Sequence, residues 1–84
     1  MNIDIEKYSQ IEKLSKIILD LSCDIQTIDH LMTKVSLQAE ITGNGAAKPS
    51  YILKDSSLLF NLLKQYKENL VEKLEEKQKL LMVL

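Results

Sequence analysis

One cysteine, one histidine, one proline, two glycines, no tryptophan and no arginine stand in this 84-residue chain. Each shortage excludes something. A lone Cys23 cannot form an intramolecular disulfide, and with His30 it falls short of the roughly four ligands of a structural zinc site. All 11 basic residues are lysine. The chain therefore lacks the planar, bidentate guanidinium favoured for reading base edges and phosphates. No apolar run approaches the roughly 20 residues that span a bilayer. The start, Met1-Asn2-Ile3-Asp4-Ile5-Glu6, is polar and acidic rather than basic and apolar. These features lead us to expect a cytoplasmic protein with no membrane partner.

What remains is rich in Leu, Ile, Lys and Glu, a helix-forming composition. Ile11, Leu14, Ile18, Leu21, Ile25, Ile28, Met32, Val35 and Ala39 recur in alternating steps of three and four. That spacing is the seam of a helix packed lengthwise on a partner. Ser15, Ser22, Asp29 and Ser36 lie on one flank of the seam. Ile17 and Leu31 widen the apolar face on the other, while Cys23 and His30 lie opposite it. The expected first helix runs from about residue 4, where Asp4 suits an N-terminus, to about 42, where Gly43-Asn44-Gly45 offers a left-handed cap.

A turn over residues 43–49 should lead through Lys48-Pro49-Ser50 into a second helix over about 50–82. A start at Asp55-Ser56-Ser57 is the alternative. The earlier start joins Ile52, Leu59, Leu63, Tyr66, Leu70 and Leu74 into one face, with Phe60 and Leu62 beside it. Next come Leu80, Leu81, Met82, Val83 and Leu84, five consecutive apolar residues and the candidate oligomer contact. The expected fold class is all-α, a single domain of two long antiparallel amphipathic helices. This helical hairpin, or coiled coil, should be completed into a bundle by oligomerisation, because so small a chain buries a limited share of its surface alone.

Charge supports the pairing of the two halves. Residues 1–42 carry four lysines against seven acids, net −3, and residues 43–84 carry seven lysines against five acids, net +2. Chemistry finds little to work with. Asp24 and Asp29 stand six residues and one residue before His30, neither at the spacing of three or four that brings helical side chains together. Cys23 and His30 are two helical turns apart, about 10 Å of rise. Gly43-Asn44-Gly45 lacks the ending of a phosphate loop. Acids at Glu68, Glu72, Glu75 and Glu76 interrupt the lysines of the second half, as in a solvated helix face. The expectation is a non-enzymatic protein that binds protein, itself included. No cofactor, metal or small-molecule substrate is expected, and nucleic acid is only weakly supported.

The order Ile41-Thr42-Gly43-Asn44-Gly45, then Lys48-Pro49-Ser50, then an amphipathic helix through Leu59, Leu63 and Leu70 resembles the central helical hairpin of small terminase subunits of tailed bacteriophages. The resemblance covers roughly residues 8–74. It implies a ring-shaped oligomer that engages viral DNA and a large ATP-hydrolysing subunit during genome packaging. The alternative expectation is a small phage- or mobile-element-encoded regulator that binds and masks a host protein.

Overall fold

The computed structural model describes residues 4–84. Met1, Asn2 and Ile3, part of the start read above for targeting, lie outside them. Four elements follow in order: helix α1 (Ile5–Met32), strand β1 (Ala39–Thr42), strand β2 (Ser50–Leu53) and helix α2 (Ser56–Met82). Two helices of nearly equal length, about 40 Å each at about 1.5 Å per residue, dominate the molecule. They lie side by side and antiparallel, since Asp4 and Lys7 at the start of α1 border the same cleft as Val83 and Leu84. At the far end Met32 shares a cleft with Lys64 and Lys67.

Both helices begin on an aspartate in extended conformation whose side chain accepts from the backbone three residues on. Asp4 accepts from the Lys7 N–H at 2.9 Å and Asp55 from the Leu58 N–H at 3.0 Å. Each thereby satisfies one of the unpaired donors of a first turn. The second helix thus starts at Asp55-Ser56-Ser57, not at Ser50.

The first helix is shorter than its heptad spacing predicts. It stops at Met32, ten residues before Thr42. Thr33 closes it, its backbone N–H and its hydroxyl both donating to the His30 carbonyl. Thr33, Val35 and Ser36 are poor helix formers, and four more residues downstream have a better use. Ala39–Thr42 and Ser50–Leu53 pair as an antiparallel ladder, with Ile41 opposite Tyr51 and Glu40 opposite Ile52. These β-branched and aromatic residues suit a pleated surface. The loop is closed by the Gly43 N–H donating to the Pro49 carbonyl at 2.8 Å. A Cβ at Gly43 would sit 3.2 Å from the Pro49 ring, so glycine fits this close approach. Gly45 and Lys48 take positive φ, 140° and 40°. The all-α expectation is therefore corrected: the fold is mostly helical, with a two-stranded hairpin where a bare turn was expected.

Ser56 ties the hairpin to the helices. Its hydroxyl accepts from the Leu37 N–H at 2.9 Å and lies 3.3 Å from the Leu37 carbonyl, to which it donates. A small polar residue at the first position of α2 thus satisfies connector backbone that has no ladder of its own.

Candidate interaction surface

The seam between the helices is built as the α1 spacing implies. Ile11, Leu14, Ile18, Leu21, Ile25 and Met32 are half-buried and Ile28 is buried. From α2, Leu59 and Leu70 are buried, with Leu63, Leu74, Val71 and Leu81 half-buried. Two residues of the expected interaction face fall elsewhere. Val35 lies in the connector beyond α1 and is fully exposed, because the helix that would have aimed it inward has ended. Tyr66 points outward, and its neighbour Lys67 takes the seam position, half-buried.

Lys67 keeps its ammonium at the seam edge by pairing with Asp29 of α1, the only ion pair among the described residues. Its stem packs along apolar surface while the charge stays near water, as long cationic side chains commonly do. This pair fixes the facing of the hairpin. Asp29 lies on one flank of the α1 seam and Ile17 and Leu31 on the other. In α2, Lys67 stands three residues before Leu70 and Tyr66 four before it, which at about 100° per residue puts them on opposite flanks. Ile17, Leu31 and Tyr66 therefore share the broad face away from the ion pair.

Leu62 and Leu58, four and eight residues before Tyr66, extend that face toward the strand hairpin, and Leu80, fourteen residues after it, extends it toward the chain ends. Ile17, Leu31, Leu58, Leu62, Tyr66 and Leu80 are each 40–54% exposed. Between the two apolar clusters stand Asp24 and Lys73, both exposed. Phe60, seven residues before Lys67, belongs to the opposite face, where it borders a cleft with Val35 and Leu37.

The five apolar residues at 80–84 divide by the same geometry. Leu81 and Leu84 turn inward and are half-buried, while Leu80, Met82 and Val83 are exposed. At the other end of the molecule Ile41 and Tyr51, cross-strand partners, project together and are mostly exposed. Ala39 and Leu53 on the same face of the ladder are half-buried. Cys23 is a free, exposed thiol and His30 is exposed. Among the described residues no three His, Cys, Asp or Glu side chains gather as a metal site, and no helix is long and apolar enough to cross a membrane.

Sequence reasoning found Ile17, Leu31 and Leu62 as widening residues but not their common side. The missing signal was the register between the helices, which one pair, Asp29 with Lys67, supplies. Comparisons with protein-family models, with curated proteins and with solved structures find no match to this chain.

Proposed function

We propose that this chain is a non-enzymatic protein–protein interaction module that self-associates through the broad helical face away from the Asp29–Lys67 pair. The observation that carries the reading is the contrast between core and surface. Only Ile28, Leu59 and Leu70 are buried hydrophobics among the described residues, while six large apolar side chains line one face half-exposed. Apolar surface gains about 25 cal/mol per Å² on leaving water, so a second layer of helices stabilises what the hairpin alone leaves wet. Thermal unfolding followed by circular dichroism across a hundredfold range of concentration tests this. The expected result is a Tm that rises with concentration, as mass action requires of a folded oligomer; a constant Tm counts against self-association.

A second reading is favoured by the strand hairpin. Ile41 and Tyr51 stay exposed on its ladder, apart from the helical face, and suit a regulator that masks a groove on a different protein. Co-purification of one stoichiometric partner, lost on Tyr51→Ser, would favour it. A phage-assembly role of the kind that the terminase resemblance implies adds DNA as a partner. Its signature is DNA affinity that falls steeply with salt.

A further inference from the structure

The helical face carries more than apolar area. Ile17, Asp24 and Leu31 follow one another at intervals of seven along α1. Tyr66, Lys73 and Leu80 do the same along α2. The helices run antiparallel and the Asp29–Lys67 pair sets their register, so the two series lie level in three tiers: Leu31 beside Tyr66, Asp24 beside Lys73, Ile17 beside Leu80. Leu58 and Leu62 thicken the first tier. An acid and a base thus sit across one face in the middle of two apolar clusters. Within one chain they do not meet, for Asp29–Lys67 is the only ion pair among the described residues.

We propose that the occupant of this face is a second copy of the same chain, stacked with both strand hairpins at the same end and related by a two-fold axis parallel to the helices. This rests on the self-association reading and specifies its geometry. In that arrangement α1 of each copy covers α2 of the other. Asp24 meets the partner's Lys73 twice, Leu31 meets the partner's Tyr66, and Ile17 meets the partner's Leu80. The interface is isologous, each contact occurring twice, and it closes as a four-helix layer pair.

The opposite stacking, with hairpins at opposite ends, lays α1 on α1 and α2 on α2. With the apolar clusters superposed it places Asp24 against Asp24 of the partner subunit, and Lys73 against Lys73 of the partner subunit. Like charges juxtaposed at an interface suppress such a pairing, so charge selects the first arrangement. Size agrees. A face about 40 Å long and two helix diameters, about 20 Å, wide offers on the order of 800 Å², the area that each partner of a standard stable interface buries.

The test uses Asp24→Lys and Lys73→Asp, both at exposed positions, with circular dichroism to verify helicity and sedimentation equilibrium as the readout. Each variant alone sets like charges against each other twice and is expected to dimerise at least about tenfold more weakly than the unaltered chain. An equimolar mixture of the two restores opposite charges at both contacts and should recover the dimer. If the unaltered chain dimerises and each single variant does so equally well, this stacking is overturned while self-association stands. If the unaltered chain is a monomer, both fall together. A second readout is independent of charge: in a Cys23→Ser background, a chain carrying Ile17→Cys mixed with one carrying Leu80→Cys should oxidise to a covalent heterodimer, since neither chain can close the bond within itself, and failure of the mixture to cross-link although the chains dimerise would overturn the stacking.

Discussion

At the residue scale, a few side chains hold most of what the monomer buries. Leu70, 4% exposed in the middle of α2, is the most enclosed of them. Leu70→Ala should cost about 2–4 kcal/mol through lost transfer energy and the cavity left behind, a large part of the total for so small a domain. Ile25→Asp should be worse, because it sets a charge into the seam at a cost of several kcal/mol. Cys23→Ser and His30→Ala lie outside the seam and should each change stability by less than about 0.5 kcal/mol. Urea denaturation of the four variants checks the ranking, and a large effect at Cys23 or His30 would reveal contacts on the outer face that the hairpin does not make. The Asp29–Lys67 pair is partly exposed on both sides. It belongs to the class of ion pairs worth about 0–1 kcal/mol, so its importance is in register rather than in stability.

The α1 seam was legible from spacing alone, since the residues from Ile11 to Met32 line the interface as their period of three and four implies. The end of α1 was not. Val35 and Ala39 happen to continue the spacing, and periodicity carries no information on where a helix stops, even beside a partner, α2, that runs on past the level of Met32 to Ser56. Poor local propensity at Thr33, Val35 and Ser36 was the available signal. Ala39–Thr42 and Ser50–Leu53 are four residues each, too short for alternation to outvote a heptad. Tyr66 against Lys67 was illegible for a different reason: hydropathy favours the aromatic inside, yet from Leu59 and Leu63 the seam advances by four and admits the lysine stem.

Elements can be tested separately. Asp55→Ala removes the cap of α2 and should cost about 1 kcal/mol, and Ser56→Ala, which leaves the Leu37 N–H without its partner, should cost a similar amount. Both are read by chemical denaturation, and Ser56→Ala should also speed amide exchange in residues 37–53, whereas unchanged exchange there would mean that the Ser56 hydroxyl does not tie the hairpin down. Deleting residues 80–84 would confound two effects, because Leu81 and Leu84 pack inward and only Leu80 belongs to the broad face. Leu80→Ser is the cleaner change. It should weaken association while leaving helical content intact.

For the whole molecule, the principal extents of 59 × 35 × 15 Å describe a thin slab, one helix deep. A slab of that depth covers each helix on one side only, which is why three hydrophobics are buried and many are not. Two such slabs, stacked on their apolar faces, give each helix a second neighbour and make a bundle of ordinary thickness. In the proposed stacking the strand hairpins, with Ile41 and Tyr51, stand at the same end. Self-association is the claim on which the rest depends, and the mass in solution tests it most directly. Sedimentation equilibrium at tens of micromolar should return twice the 9.6 kDa of one chain, and a single species at the chain mass would contradict the account.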